Sequence, residues 1–251
     1  MALLEIRGLV KRFVGVTAVE GVDLSIEPGE MVALIGPNGS GKTTLFNCIT
    51  GVQTLDAGRV FFRTQDVTGA PPHRIARLGV GRTFQVVSVF PGLSVLENLL
   101  VSLQQHQEDS VVARLFRTGH VRRLEAAAVA RARAVLEWVA LGGHADTRAG
   151  TLSYGQRKLL AFAAALMPEP ALVLLDEPAA AVNPTMINEM KQRIVTLNRG
   201  GTAILLVEHN MDVVMDVSQR VVVLDHGQKI AEGPPEAIRR DPRVIEAYFG
   251  R

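Results

Sequence analysis

The glycine-rich stretch over residues 36–44 constrains the fold of this chain more than any other segment. It follows the apolar run over residues 31–35 and precedes further apolar residues beginning at Leu45, the pattern of a β-strand, a tight turn and the start of an α-helix. The stretch fits the pattern G-x-x-x-x-G-K-T, in which glycines let backbone N–H groups wrap around phosphate and the helix adds the positive end of its dipole. The sequence therefore predicts a phosphate-binding loop.

The side chains of this loop can be given roles from their chemistry. The Lys42 ammonium is expected to reach the outer phosphates of ATP, and the Thr43 hydroxyl is expected to hold Mg²⁺. A glycine-rich turn with a chance lysine is the alternative, but it does not explain the strand and helix patterns on either side. The residues predicted to bind ATP in this loop are Gly36, Pro37, Asn38, Gly39, Ser40, Gly41, Lys42, Thr43 and Thr44.

A second charged motif follows the aliphatic run over residues 172–175. A strand buried on both faces explains the aliphatic residues, but it does not explain the two carboxylates, Asp176 and Glu177, at its tip. We expect Asp176 to bind Mg²⁺ through water and Glu177 to polarise the water that attacks the γ-phosphate. A strand that leaves the core through acidic residues is the alternative, and the phosphate-binding loop elsewhere in the chain argues against it.

Composition excludes several classes of protein. The formal net charge of +2, with lysine and arginine spread along the chain, does not indicate a nucleic-acid binder, so no nucleic-acid partner is expected. The single cysteine, Cys48, excludes an internal disulfide and, with no signal peptide evident, favours a reducing cytoplasm. No run reaches the roughly eighteen apolar residues that span a bilayer, so any membrane role is expected to come through a partner.

The order of strand and helix patterns predicts an α/β fold with a mostly parallel, covered sheet. Short strands over residues 3–6, 8–13 and 18–26 are expected to form an antiparallel β edge beside the phosphate-loop strand. We predict a single domain over residues 1–251, with an α/β core from residues 1–85 and 169–251. A mainly helical subdomain over residues 86–168 is inserted into this core, and one of its helices starts with a capping box at Ser94 and Glu97.

A third motif is the run Leu152, Ser153, Tyr154, Gly155 and Gln156, which opens a predicted helix with Ser153 as its N-cap. Taken alone, the run indicates no more than a helix cap. Its position among other motifs is more specific, because the order and rough spacing resemble those of ATP-binding cassette domains, or ABC cassettes, over essentially the whole chain. The motifs that carry this resemblance are residues 36–43, Gln85, residues 152–156, residues 176–177 and His209.

This resemblance implies a P-loop NTPase with a RecA-like core and a mechanism shared between two cassettes paired head to tail. The motif over residues 152–156 would contact the γ-phosphate of ATP bound to the other cassette. Gln85 would touch Mg²⁺ and the attacking water, and His209 would contact the γ-phosphate, so the catalytic residues would be Glu177, His209 and Gln85. Phe13 stands where such cassettes stack an aromatic ring on adenine, although a core position in an early strand is the alternative.

Two departures from the commonest pattern point to a narrower group. Tyr154 replaces a glycine, and Asn183 replaces an aspartate in the segment called the D-loop. Both are typical of the ATP-binding subunits of branched-chain amino-acid importers, which this sequence resembles. Ala181 stands where that group usually has glycine, which raises the question of how flexible this D-loop is.

The resemblance to these importers also implies partners and a location. The partners would be a second cassette, identical or paralogous, two integral membrane permease subunits and, indirectly, a periplasmic or extracellular substrate-binding protein. The chain would then lie at the cytoplasmic face of the inner (plasma) membrane.

Three alternatives remain open at this point. A soluble cassette ATPase that acts on ribosomes or nucleic acid would generally carry two cassettes or long coiled-coil insertions, and this sequence has neither. An importer for another solute, such as urea, would share the same motifs, because the solute is chosen by other subunits. A phosphate-loop kinase or GTPase would have no use for the motif over residues 152–156 or for His209.

Overall fold

The computed structural model describes residues 1–83, 89–104 and 119–249. Contacts divide the chain into two compact units, one formed by Met1–Gln85 with Ala171–Arg251 and the other by Val86–Pro170. In chain order, the strands are β1 (Leu4–Phe13), β2 (Val16–Ile26), β3 (Met31–Ile35), β4 (Ala57–Phe62), β5 (Gln65–Asp66), β6 (Val80–Arg82), β7 (Leu172–Asp176), β8 (Ala203–Val207), β9 (Arg220–Asp225) and β10 (Gln228–Gly233). The α-helices are α1 (Lys42–Ile49), α2 (Pro72–Arg77), α3 (Val95–Gln104), α4 (Gly119–Trp138), α5 (Tyr154–Leu166), α6 (Pro184–Arg199), α7 (Met211–Val217), α8 (Pro235–Arg239) and α9 (Pro242–Phe249).

A six-stranded sheet in the order β10-β9-β3-β8-β7-β6 forms the centre of the first unit. Every neighbouring pair from β9 to β6 is parallel, which confirms the mostly parallel sheet predicted from the sequence. All residues of β3, β7 and β8 are buried, because these strands are covered on both faces. The carboxyl ends of β3, β8, β7 and β6 therefore meet at one edge of the sheet, and Asp176 is the last residue of β7 at this edge.

The antiparallel strands do not lie beside the phosphate-loop strand as the sequence suggested. They form a separate four-stranded sheet in the order β2-β1-β4-β5, and the antiparallel edge of the parallel sheet comes instead from the β9–β10 hairpin. Strand β3 is apolar on both faces and pairs with β8 and β9, which leaves it no free edge. The two short strands predicted over residues 3–6 and 8–13 are one strand, β1, whose pairing with β2 shifts register around Gly8 at φ +57°.

Alternate residues of β3 face two different hydrophobic clusters. Val32 and Leu34 pack with α1 and with the buried residues of the antiparallel sheet, whereas Ala33 and Ile35 pack with residues of α7, α8 and α9. Helix α1 includes Cys48, which is 4 % exposed and whose burial raises the thiol pKa to about 11. The helix behind the phosphate-binding loop is therefore fixed by the core.

The second unit is helical in its described part, with α3, α4 and α5 packed together. The predicted capping box is confirmed, since Ser94 N–H donates to Glu97 Oε2 at 2.7 Å and Glu97 N–H donates to Ser94 Oγ at 3.1 Å. Arg131 of α4 donates to the Met167 carbonyl at 2.8 Å and so satisfies one of the last carbonyls after α5. Over the described ranges, no helix combines the length and apolar character needed to cross a membrane.

Candidate active site

The phosphate-binding loop is held so closely by its neighbours that two of its glycines have no room for a side chain. A Cβ atom on Gly36 would lie 2.0 Å from the carbonyl oxygen of Leu224, and one on Gly41 would lie 2.3 Å from that of Ala18. Both residues also have a positive φ, 149° for Gly36 and 102° for Gly41. The two glycines are thus required by packing as well as by backbone conformation.

Lys42 lies folded against its own loop. Its Nζ donates to the carbonyl oxygens of Gly36 and Pro37, both at 2.8 Å, and to Ser40 Oγ at 3.3 Å. Burial lowers the pKa of Lys42, while the negative charges of Glu177 and Asp176 act in the opposite direction. These hydrogen bonds satisfy the ammonium, and a phosphate could take them over without moving the lysine backbone.

The start of α1 leaves backbone N–H groups available next to this lysine. Its N-cap residue, Gly41, has no side chain that could accept a hydrogen bond from the first turn. Thr43 is exposed, Thr44 is half-buried, and Asn38 and Gly39 are exposed at the tip of the loop. Uncapped N–H groups at a helix start favour an anion, which agrees with the chemistry predicted for this loop.

Asp176 ends β7 in a nearly closed environment and is 4 % exposed. Burial raises the pKa of its carboxyl group, and the guanidinium of Arg82, with Nη2 3.5 Å from Oδ2, opposes that shift. The backbone N–H of Asp176 donates to Thr83 Oγ1 at 3.2 Å. Asp176 Oδ1 is buried and has no hydrogen-bond partner among the residues that the structure describes. An orphan buried oxygen of this kind indicates a ligand atom for a cation.

The sequence analysis assigned no role to Arg82. Its side chain lies over the ring of Phe46, with Cζ 5.8 Å from the ring centroid, and Nη1 donates to Thr50 Oγ1 at 2.8 Å. Arg82 therefore links the core of α1 to Asp176. A buried guanidinium is commonly paired with an acid, but sequence alone does not tell which acid lies on the neighbouring strand.

Glu177 and His209 are brought together by neighbouring strands. The backbone N–H of Glu177 donates to the carbonyl of Val207 at 2.9 Å, and Glu177 Oε1 lies 3.1 Å from His209 Nε2. Glu177 has φ +51°, a left-handed conformation that is uncommon for a residue with a side chain. The structure thus places both predicted catalytic groups in contact, at the same edge of the sheet as Lys42.

The sequence analysis also assigned no role to Glu208. It is 2 % exposed, although it stands between a buried strand and an exposed histidine, and within the described part of the chain it accepts hydrogen bonds only from backbone N–H groups. The sequence does give a weak signal, because an acid directly after an aliphatic strand is also the pattern that identified Asp176. Without the strand order, that pattern could equally indicate a strand that ends in solvent.

The motif over residues 152–156 starts α5 in the helical unit. Gln156 N–H donates to Ser153 Oγ at 3.3 Å and Ser153 N–H donates to Gln156 Oε1 at 2.9 Å, which confirms Ser153 as the N-cap in a capping box. Leu152 is buried, whereas Ser153 is exposed and Tyr154 is 42 % exposed. The exposed helix start could accept a further anionic group.

Phe13 and Gln85 are the two remaining residues predicted for the nucleotide site. Phe13 ends β1 with 45 % of its surface exposed and Lys11 Nζ 5.4 Å from its ring centroid, so its alternative reading as a core residue is wrong. Gln85 lies outside the described residues, as do residues 86–88 that follow it.

The C-terminal helix reaches the phosphate-binding loop. Burial raises the pKa of Tyr248 on α9, and the nearby backbone N–H of Gly36 acts in the opposite direction, although Tyr248 Oη makes no hydrogen bond to any described residue. A cavity of about 750 Å³ beside this contact is lined by Pro37, Asn38, Gly39, Ser40, Asp225, His226, Ile230, Arg243, Glu246 and Ala247. No motif in the sequence pointed to this contact.

Two family models match the chain. One, described as ABC transporter, matches residues 19–180, which include the phosphate-binding loop and both acids of the second motif. The other, described as branched-chain amino acid ATP-binding cassette transporter, matches residues 228–251. The second match covers the segment that contains Tyr248.

Individual proteins are also similar to this chain over all or nearly all of its length. The high-affinity branched-chain amino acid transport ATP-binding protein LivG of Escherichia coli (strain K12) is 43 % identical over 249 residues, which is 99 % of this chain and 98 % of that protein. A nucleotide-free ATP-binding cassette from an ABC transporter has a TM-score of 0.87 at 35 % identity, with all of both chains covered. A dimeric ATP-binding cassette in a post-hydrolysis state, bound to ADP and Pi, has a TM-score of 0.79 at 25 % identity, covering 92 % of this chain and 98 % of that one.

Ala181, in the segment between β7 and α6, has an unfavourable backbone conformation. Asn183 Oδ1 accepts a hydrogen bond from Met186 N–H at 2.9 Å and so caps α6, and Ala181 before it has φ +57°. This left-handed conformation favours glycine at that position, since a Cβ atom is unfavourable there.

We expect Ala181→Gly to stabilise the protein by about 1 kcal/mol, because relief of the left-handed strain exceeds the added entropy of the unfolded chain. In thermal unfolding this gain corresponds to a rise in Tm of about 3 °C. Ala180→Gly is the matched control and should lower the Tm, because Ala180 does not have a positive φ. Equal losses in both variants would contradict the strain assigned to Ala181.

Proposed function

This chain belongs to the ABC transporter family and is an ATP-hydrolysing cassette, and we propose that it powers the import of branched-chain amino acids. The contact between Glu177 and His209 beside Lys42 carries the chemical part of the proposal, because it joins an acid, a histidine and a phosphate-binding loop at one sheet edge. The full-length likeness to LivG and the match over residues 228–251 support the choice of solute.

In the proposed binding mode, ATP lies with its β- and γ-phosphates over residues 36–44. Lys42 Nζ would exchange the carbonyls of Gly36 and Pro37 for phosphate oxygens, and the N–H groups at the start of α1 would add further hydrogen bonds. The exposed ring of Phe13 would stack on adenine. We propose that Met1–Gln85 with Ala171–Arg251 form the nucleotide-binding core and that Val86–Pro170 form the subdomain that carries residues 152–156.

The residues fit a Mg²⁺ site. The described residues contain no group of three or more His, Cys, Asp or Glu side chains that could hold a metal, but Mg²⁺ usually takes only one or two carboxylates together with substrate phosphates and water. Asp176 Oδ1, buried and without a partner in the described chain, and the Thr43 hydroxyl are the proposed ligands, with Gln85 as a third. When bound, Mg²⁺ would neutralise charge on the β- and γ-phosphate oxygens.

Hydrolysis would proceed with Glu177 as general base. Its carboxylate accepts a proton from water while the water oxygen attacks the γ-phosphorus, and the bond from that phosphorus to the bridging oxygen breaks to leave ADP and phosphate. His209, whose Nε2 lies 3.1 Å from Glu177 Oε1, would contact the γ-phosphate.

The site requires a second cassette, because the residues 152–156 of one chain are proposed to act on the nucleotide of the other. Ser153 and Gly155 at the exposed start of α5 would contact the γ-phosphate, where the helix dipole favours negative charge. Asn183 would lie in the D-loop at this interface. The second cassette is identical or paralogous, and two integral membrane permeases with a periplasmic or extracellular binding protein would complete the importer at the cytoplasmic face of the inner membrane.

Glu177→Gln tests the chemistry. We expect ATP turnover to fall by about 100-fold or more, because an amide cannot take the proton from water. ATP should still bind, so a nucleotide-bound dimer should accumulate in size-exclusion chromatography. Glu236→Gln, an exposed change in the first turn of α8, is the control and should hydrolyse ATP at the parent rate. Parental turnover in Glu177→Gln would remove Glu177 as the base.

The solute and the partners are tested by isolating the tagged chain from detergent-solubilised membranes of its own host. We expect two integral membrane proteins to co-purify, and ATP hydrolysis by that complex in proteoliposomes to rise when binding protein loaded with leucine, isoleucine or valine is added. Stimulation by urea-loaded binding protein instead would assign a different solute. Recovery of ribosomal or DNA-bound material without integral membrane proteins would favour the soluble alternative.

A further inference from the structure

The carboxylate of Glu208 is buried, and its hydrogen-bond donors among the described residues are all main-chain N–H groups. Oε1 accepts the N–H of Ala179 at 2.6 Å, and Oε2 accepts the N–H groups of His209 at 3.1 Å and Asn210 at 3.3 Å. The side chain is 2 % exposed, and no lysine, arginine or histidine in the described ranges forms an ion pair with it. A buried charge is tolerated when such hydrogen bonds replace its hydration.

These donors belong to two different loops. Ala179 lies in the loop after β7, and His209 and Asn210 lie in the loop after β8. The ladder between the two strands ends with Asp176 opposite Val207 and with the Glu177 N–H on the Val207 carbonyl. Beyond that point no strand pairing joins the two segments, and Glu208 connects them instead.

The hydrogen bonds of Glu208 lie close in sequence to the two residues of the Glu177–His209 contact. Glu177 precedes Ala179 by two residues, and His209 directly follows Glu208, so one carboxylate binds the backbone N–H of His209 and that of a residue close to Glu177. The side chains of Glu177 and His209 are also in contact, with 3.1 Å between Glu177 Oε1 and His209 Nε2. A change in the position of either loop would be passed to the other through Glu208.

We propose that Glu208 is a positioning residue that couples the loop after β7, including Ala181 and Asn183, to His209. Glu208 itself touches neither nucleotide nor attacking water. The inference rests on the proposed function, since it concerns the alignment of Glu177 and His209 for hydrolysis. A carboxylate is needed because it offers two acceptor oxygens to the two loops, whereas an amide offers one and turns N–H donors toward the other loop.

The test compares Glu208→Gln with the parent chain in ATP hydrolysis. We expect kcat to fall by about 10- to 100-fold, since small misplacement of catalytic groups has effects of that size. The KM for ATP should stay within a factor of about 3, because the phosphate-binding loop keeps its own contacts. Glu208→Asp retains two acceptor oxygens on a shorter stem and should recover part of kcat. A rise in KM with kcat unchanged would overturn the proposal.

A double-mutant cycle with His209→Ala separates positioning from a general loss of stability. If Glu208 acts through His209, Glu208→Gln should cost little further turnover in the His209→Ala background, and the two effects should be non-additive. Additive losses would overturn the coupling and leave the ATPase assignment intact. Absence of ATP hydrolysis in the parent chain would instead remove the proposed function and this inference together.

Hydrogen exchange gives a readout that does not depend on activity. Glu208→Gln should raise amide exchange in residues 177–183 and in residues 209–213 at the same time. Asn183→Ala is the matched control, since it removes only the N-cap of α6 and should change exchange near residues 183–187. Faster exchange confined to residues 209–213 in Glu208→Gln would contradict a coupling role. If Glu208→Gln does not fold, Glu208→Asp carries the same comparison.

Discussion

The parallel pairing of β3, β8 and β7 determines where every charged group of this site lies. Leu34 pairs with Val207 and Val207 pairs with Asp176, so the carboxyl ends of three buried strands stand side by side. Their interiors are covered on both faces and cannot hold a charge, which confines charge to the strand ends. The phosphate-binding loop, the two acids after β7 and the Glu208–His209 pair therefore share one edge.

The buried charges at this edge of the sheet stabilise one another. Burial disfavours the charged forms of both Asp176 and Lys42, and each is stabilised by the charge of the other and by further neighbours. Arg82 supplies a positive charge to Asp176, and Glu177 adds a negative charge close to both. Groups held in this way respond strongly to an added anion or cation, which is how a nucleotide and its metal ion could rearrange the site.

The parts of the structure that depend on local sequence could be predicted. Glycine spacing and flanking apolar runs identified the loop over residues 36–44, and Ser153 before a helical pattern identified the N-cap of α5. These features need only the physics of one turn or one helix end, and the alternation of strands and helices was enough for the α/β class.

Features that depend on strand order could not be predicted. Arg82 and Glu208 acquire their roles from residues about 30 to 95 positions away, which become neighbours only when β6, β7 and β8 pair. The antiparallel strands were misplaced for the same reason, since their own patterns do not show which sheet they join. Helix α9, near the end of the chain, lines a cavity beside the phosphate-binding loop, and no motif in the sequence indicated this.

A crystal structure of Glu177→Gln with ATP and Mg²⁺ tests the central claim most directly, because it shows whether the strand-end groups of one chain and the helix start of another enclose one nucleotide. The account predicts that Lys42 Nζ leaves the carbonyls of Gly36 and Pro37 for phosphate oxygens, with the partner's Ser153 on the same γ-phosphate. A nucleotide bound away from residues 36–44, or enclosed by a single chain, would contradict it.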